Sequence, residues 1–338
     1  MGSPIYEISS LSHYYATKPA LTIEHLAIQP ASIIGLIGPN GSGKSTLLKL
    51  LGLIEKPTQG RIQFNGVKVE PFSQKARFLI TMLPQEPFLM KRNVFNNVAY
   101  GLKLRGNGQE ISATVDEALL LVGLNSSDYA KRPWYALSGG EAQRVALAAR
   151  LALKPKVLLM DEPTASVDAG SAQLIKDASL RARQDLGTTL IIASHDWQWL
   201  HEICDEVLHL FEGRIFGSGR ENIIYGPWER LETGKWGKML PDGQQLIVSE
   251  PPKQTSAAVI DILPVNEYDP TVIQGDIVLT GIVSRLSLER KTGHIFATII
   301  VGDLPFSVRL TPQQNEMHTL FPGQTIPIHY RVEKVRWI

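Results

Sequence analysis

An α/β domain followed by a small all-β domain is what this 338-residue sequence predicts, on three observations. Between residues 5 and 230, strand-like apolar runs alternate with helix-like segments, as a layered α/β domain requires. Within that stretch, residues 38–46 read GPNGSGKST and lie between the apolar run Ile33-Ile34-Gly35-Leu36-Ile37 and the helical pattern Leu47-Leu48-Lys49-Leu50-Leu51. Beyond about residue 270, short apolar segments are separated by turn residues, the pattern of a small β-barrel.

The elements follow in chain order. Strands are expected at 33–37, 78–83, 157–161 and 189–194, and at 207–211, where VLHLFEGRIF reads as a hairpin turning at Glu212-Gly213. Between Pro87 and Pro133 the β signals fade and helical ones take over, notably over Val115–Val122. A helix is expected from Glu141 to Leu153, and another over Trp199–Glu206, which places the single cysteine, Cys204, as a small core residue. From Thr233 to about Pro270, Gly, Pro, Gln and Ser accumulate around PDGQQ and SEPPKQ, which reads as an extended linker with a short strand at Leu246–Val248. After it, Asp276–Leu286, His294–Val301, Phe306–Leu310 and Thr325–Val332 read as strands.

Composition excludes several classes. Charge is balanced, 34 basic residues against 33 acidic, so no nucleic-acid partner is expected. No unbroken apolar stretch reaches the length of a membrane span, and MGSPIYEISS lacks a secretion-signal pattern, so a cytoplasmic protein is expected. One cysteine can form neither an internal disulfide nor a thiolate metal cluster.

The segment GPNGSGKST fits G-x-x-x-x-G-K-[ST], a loop whose backbone N–H groups cradle phosphate. Gly38, Gly41 and Gly43 let the chain curl, and Pro39, Asn40, Ser42 and Thr46 complete the loop and the first helical turn. Lys44 is positioned to neutralise β/γ-phosphate charge, and Ser45 to place its hydroxyl on Mg²⁺. Val157-Leu158-Leu159-Met160 delivers Asp161 and Glu162 to a strand's carboxyl end, where open α/β sheets bind ligands. Asp161 suits the Mg²⁺ shell, and Glu162 a general base for an attacking water.

The second informative segment is LSGGEAQR at 137–144, with Ser138 standing 23 residues before Asp161. P-loop, LSGGEAQR and strand-Asp-Glu together resemble the ATP-binding subunits of ABC transporters. The resemblance implies a P-loop ATPase domain over 1–232, with a helical subdomain at about 86–150 that docks on a membrane partner. It further implies a linker at 233–270 and, at 271–338, an OB-like or TOBE-like barrel similar to those appended to oxyanion-importer ATPases. It implies ATP and Mg²⁺ as ligands, and a homodimer in which Ser138, Gly139 and Gly140 reach the γ-phosphate held by the opposite subunit.

Carried onto this sequence, the resemblance makes Tyr15 the aromatic that stacks on adenine, with Tyr14 the competing position. Gln85, in TMLPQEP, becomes a Mg²⁺ or water ligand that moves with the helical insertion. Ser166-Val167-Asp168 matches the loop that crosses to the partner subunit, and His195, in IIASHD, the histidine that contacts the γ-phosphate and orients water or Glu162. Glu141 departs from the commonest signature, which has glutamine there. The stretch Gln85–Gly106 resembles ATPases of tungstate importers and of related molybdate carriers. The partners implied are permease subunits and, indirectly, an external oxyanion-binding protein, with this chain on the cytoplasmic face of the membrane. A soluble ABC ATPase uncoupled from transport is the rival reading, and the single cassette without heptad arms weighs against it. In the barrel, Ser284, Ser287 and Lys291 are loosely placed candidates for a regulatory anion site.

Overall fold

A computed structural model describes residues 3–106, 110–165, 167–216, 222–262, 277–288, 295–310 and 320–338. The chain forms two compact units, Met1–Gly219 and Arg220–Ile338.

In the first unit, the elements are β1 (Tyr6–Tyr15), β2 (Lys18–Ile28), β3 (Ile33–Ile37), α1 (Lys44–Leu51), β4 (Gln59–Phe64), β5 (Val67–Lys68), α2 (Gln74–Arg77) and β6 (Ile80–Leu83). There follow α3 (Val94–Leu104), α4 (Ile111–Leu121), α5 (Ser126–Tyr129), α6 (Gly139–Leu151), β7 (Val157–Asp161), α7 (Ala169–Leu186), β8 (Thr189–Ala193), α8 (Trp197–Ile203), β9 (Glu206–Phe211) and β10 (Arg214–Phe216). A six-stranded sheet runs β10-β9-β3-β8-β7-β6, parallel except for β10.

The strands of this sheet are apolar throughout because both faces are covered. Neighbouring side chains point to opposite sides, so Ile33 and Leu158 join one core while Ile34 and Leu159 join the other. The first core packs α3, α4, α6, α7 and α8 against the sheet. The second packs α1 and the antiparallel sheet β2-β1-β4-β5. The hairpin expected at Glu212-Gly213 is the antiparallel β9–β10 pair, with both turn residues at positive φ, 45° and 77°. The helix expected from Glu141 begins two residues earlier, because Ser138 caps it. The helix expected over Trp199–Glu206 likewise begins earlier, after Asp196 accepts the Trp199 N–H at 3.0 Å, and ends before Cys204. Burial among apolar neighbours pushes the Cys204 thiol pKa up, as fits a small packed residue.

The second unit contains β11 (Asn222–Tyr225), β12 (Glu229–Arg230), β13 (Trp236–Met239), β14 (Gln245–Val248), β15 (Ala257–Ile260), β16 (Ile277–Leu288), β17 (Ile295–Val301), β18 (Leu304–Leu310), β19 (Thr325–Tyr330) and β20 (Arg336–Trp337). They form three antiparallel sheets, β11-β15-β20, β12-β13-β14 and β18-β17-β16-β19. A single core collects Trp228, Leu246, Val248 and Ile260 with Val283, Ile299, Phe306 and Ile328.

This corrects the expected linker. Residues 233–262 carry β13, β14 and β15, and they supply part of that core. The PDGQQ segment is the turn of the β13–β14 hairpin, closed by Leu240 N–H donating to the Gln244 carbonyl at 2.9 Å. Turn residues between two short strands have the same composition as a linker, and only long-range burial separates them. Trp228 is the anchor: it is fully buried, and its indole N–H donates to the Ser256 carbonyl at 2.7 Å. Of the barrel residues named from sequence, Ser284 donates to the Thr298 carbonyl at 3.1 Å. Lys291 and the Ser287 side chain lie outside the described residues.

Candidate functional site

Four neighbouring strands end on one edge of the six-stranded sheet. The loop 38–43 leaves β3, Ser194 and His195 follow β8, Asp161 and Glu162 lie at the end of β7, and Gln85 follows β6. Parallel strands aim all these groups the same way, and they open on a cavity of about 680 Å³. Its lining contains the 38–46 stretch except Ser42, together with Tyr15, Gln85, Asp161, Glu162 and His195. Tyr14 does not line it, so Tyr15 is the aromatic of the pair that the structure places at the cavity. Lys18, Pro19 and Ala20, at the start of β2, also line it. Sequence reading missed them because nothing local marks a hairpin that folds over a loop distant in the chain.

The loop is built for an anion. Gly43 caps α1 with φ 107°, and no side chain satisfies the helix's first N–H groups. A Cβ on Gly43 would crowd Leu21 and the Ala20 carbonyl, so the turn needs glycine. The Lys44 ammonium is buried and donates to the Gly38 carbonyl at 2.7 Å and the Pro39 carbonyl at 3.2 Å. Burial holds its pKa below the ordinary value, opposed by the negative charges of Glu162 and Asp161. Ser42 Oγ is buried without a hydrogen-bond partner, an orphaned polar atom in a loop otherwise shaped around backbone donors.

Asp161 is half-buried, and its carboxyl pKa is raised by that burial, against the lowering effect of a Ser45 hydrogen bond. Among the described residues no group of three His, Cys, Asp or Glu gathers around a metal position. A hydroxyl and a carboxylate in contact, beside an anion loop, nevertheless fit Mg²⁺, which takes few protein oxygens and completes its shell with water and substrate phosphate.

Glu162 is 8% exposed and has φ 46°, an uncommon backbone for glutamate. Its N–H donates to the Ala193 carbonyl at 2.8 Å, which anchors the turn to β8. Its Oε2 accepts from Ser194 Oγ at 3.2 Å and from the His195 N–H at 3.3 Å, and His195 Nδ1 lies 2.9 Å away. The His195 ring is otherwise exposed, with 68% of its side chain open. A held carboxylate on the cavity wall, paired with a largely exposed imidazole, is an arrangement that can take a proton from water and pass it on. Ser194 was not identified from sequence, although its place beside the strand-end histidine could have singled it out.

Ser138, Gly139, Gly140 and Asp168 do not line this cavity. They meet one another instead, where the N-termini of α6 and α7 approach. Ser138 Oγ accepts from the Glu141 N–H at 3.2 Å while Glu141 Oε2 accepts from the Ser138 N–H at 2.8 Å, a complete capping box. Glu141 also accepts from the Tyr129 hydroxyl at 2.8 Å, and the Ser138 backbone bond leads in holding its carboxyl pKa below the usual value. Glutamate at the variant signature position is thus a working cap. Asp168 caps α7, accepting from the Ser171 N–H and Oγ, each at 2.9 Å. A Cβ on Gly140 would meet Ser171 Oγ at 2.5 Å, so a glycine permits the two helix ends to touch. Ser166 lies outside the described residues.

Residues 21–165 match the family model described as ABC transporter. The chain is 38% identical over 209 residues to the tungstate uptake system ATP-binding protein TupC of Peptoclostridium acidaminophilum, spanning 62% of this chain and 95% of that one. The chain belongs to the ABC transporter ATP-binding family. It is an ATPase of the ABC type, with ATP as its nucleotide and Mg²⁺ as its cation. The sulfate/thiosulfate import ATP-binding protein CysA of Bacillus cereus is 34% identical over 224 residues, covering 65% of this chain and 62% of that one. Among solved structures, cbiO1 of Clostridium perfringens superposes with a TM-score of 0.58 at 32% identity, over 64% of this chain and 89% of its own. The dimeric bacterial cassette MJ0796 gives the same TM-score at 26% identity, over 63% of this chain and 97% of its own. Among the described residues no helix is long and apolar enough to cross a membrane.

Proposed function

We propose that this ATPase is the motor subunit of an oxyanion importer, with tungstate as cargo, working as a homodimer against a separate membrane permease. The observation that carries the dimer is the split of the site. The cavity holds Lys44, Asp161, Glu162 and His195, while the Ser138–Gly140 cap and Asp168 stand apart from it. Two copies arranged head to tail complete each cavity with the other's α6 N-terminus. The dimeric relative at 26% identity supports that arrangement.

Lys44 neutralises phosphate charge from inside the loop, in exchange for its present bonds to Gly38 and Pro39. Mg²⁺, when bound, supplies further neutralisation of phosphate oxygens; Ser45 and Asp161 are its holders, with Gln85 offering a carboxamide oxygen. Tyr15 provides the face on which the base stacks. Glu162 takes the proton of the attacking water, and Ser194 and His195 keep its carboxylate aimed. Ser138 accepts the Glu141 N–H and so keeps its own hydroxyl hydrogen free to donate to a partner's phosphate. Positioning and charge thus supply the catalysis. The segment Gln85–Gly106, with the exposed Phe88, Tyr100 and Leu104, is the side that meets the permease. The Arg220–Ile338 unit contributes no group to hydrolysis in this reading.

The cargo assignment is supported by the tungstate relative at 38% identity and by Gln85–Gly106. It is tested by reconstituting the chain with its neighbouring permease and binding protein. Tungstate should stimulate hydrolysis most, and stronger stimulation by molybdate, sulfate or methionine would replace the assignment.

A further inference from the structure

Tyr15 does not project freely into the cavity. Its hydroxyl donates to Glu55 Oε2 at 2.7 Å, with Thr46 of α1 as a further hydrogen-bonding neighbour. Glu55 is itself held: Lys49 Nζ lies 3.4 Å from its Oε1, and its backbone N–H donates to the Lys49 carbonyl. Behind the ring stands His13, 7% exposed, with its Nε2 3.3 Å from Glu55 Oε2. The His13 ring meets the Tyr15 ring edge-on, centroids 4.9 Å apart and planes at 87°. Partial burial and the Glu55 bond both raise the Tyr15 pKa, which keeps the phenol a donor.

An aromatic that is 45% exposed at the end of a strand would ordinarily sample several rotamers. Ordering it on ligand binding costs free energy, and a side chain fixed beforehand avoids that cost. Glu55 lies just beyond the C-terminus of α1, the helix whose N-terminus carries Lys44, Ser45 and Thr46. The phosphate-binding turn at the start of α1 and the tether of the aromatic ring just past its end are therefore joined by one short helix.

We propose that Glu55, held by Lys49 and backed by His13, is a positioning residue that fixes the Tyr15 ring as the base platform of the nucleotide cavity. This rests on the reading that the base stacks on Tyr15. ADP and inorganic pyrophosphate separate the two ideas, because only ADP carries a base. Their binding to the full chain is measured by calorimetry for Glu55→Leu, Tyr15→Phe, the double variant, Glu55→Gln and Tyr15→Ala, each checked by thermal melting. Glu55→Leu and Tyr15→Phe should each weaken ADP roughly 3- to 10-fold, the worth of one ordinary hydrogen bond at a partly exposed site. Pyrophosphate affinity should not move, and the double variant should be no worse than either single one, since all remove the same tether. Glu55→Gln keeps an acceptor oxygen and should stay near the native affinity; it and Tyr15→Phe carry the test if Glu55→Leu does not fold. In turnover the loss should appear in KM with kcat kept.

Equal weakening of ADP and pyrophosphate by Glu55→Leu would show the effect travelling through α1 to the phosphate loop, and the proposal would fail. Additive losses in the double variant would overturn it equally. Tyr15→Ala should weaken ADP alone, roughly 5- to 100-fold, by loss of stacking. If it does so while Glu55→Leu and Tyr15→Phe change nothing, only the positioning role falls. If Tyr15→Ala leaves ADP binding intact, the base-platform reading itself is wrong.

Discussion

Two glycine-flanked helix N-termini in the first unit are finished in opposite ways. At α1 the cap is Gly43, no side chain closes the first turn, and the neighbouring Ser42 hydroxyl is buried without a partner. At α6 the cap is Ser138, closed reciprocally by Glu141 and braced by Tyr129. An end with its donors unspent holds back hydrogen-bonding capacity for a ligand, at a cost in stability. An end that is self-satisfied is rigid before any ligand arrives. In the proposed dimer the phosphate loop is thus the receiving half of a composite site, and the Ser138 loop is the prefabricated half.

The comparison breaks most visibly at the chemistry. Glu162→Gln should lower ATP turnover by roughly 10²- to 10⁴-fold while leaving ATP binding intact, with an ATP-bound dimer appearing in sizing experiments. Near-native turnover would remove Glu162 from the catalytic role and leave the receiving half without its base.

Next in size is complementation. Lys44→Ala disables the receiving half and Ser138→Arg the prefabricated half, so each variant alone should be inactive. A mixed dimer keeps one intact composite site of two, and equal mixing with random pairing should restore about a quarter of the native rate. Demonstrated heterodimers that remain inactive would refute sharing between copies.

Stability sharpens the contrast further. Ser138→Ala removes a working cap and should cost about 1 kcal/mol of unfolding free energy in denaturant titrations. Ser42→Ala removes an unpaired buried hydroxyl, so it should leave the midpoint unchanged or raise it. Equal losses at the two positions would erase the distinction drawn between the two helix ends.

The smallest effect concerns Asp161. Its pKa is raised by burial, so the folded state disfavours the ionised form, and native stability should decline as pH rises from the ordinary carboxylate range through the raised value. Asp161→Asn should flatten that slope and melt slightly higher without ligand. A variant that melts lower at neutral pH would contradict the burial penalty.

Sequence by itself placed the phosphate loop, the strand end at Asp161 and Glu162, the strands of the six-stranded sheet and those of the last four-stranded one, while Ser138–Gly140 and His195 were singled out by their family resemblance. These are local signals: glycines at fixed offsets, apolar runs of strand length, and a serine before a helix. It also left Tyr14 and Tyr15 as rivals, since adjacent residues at a strand end differ only in which way they face. The tertiary structure puts Tyr15, and not Tyr14, at the cavity by folding the β1–β2 hairpin over the loop, which also brought in Lys18, Pro19 and Ala20. It turned the expected linker into strands, because Trp228, Leu246 and Val248 find their burial against residues as distant as Phe306 and Ile328. It showed Glu141 to be a cap and tied Glu55 to Tyr15, 40 residues apart. Local pattern can specify a turn or a helix end; which distant side chains share an environment depends on how the chain closes on itself, and that is set by the summed burial of the whole core.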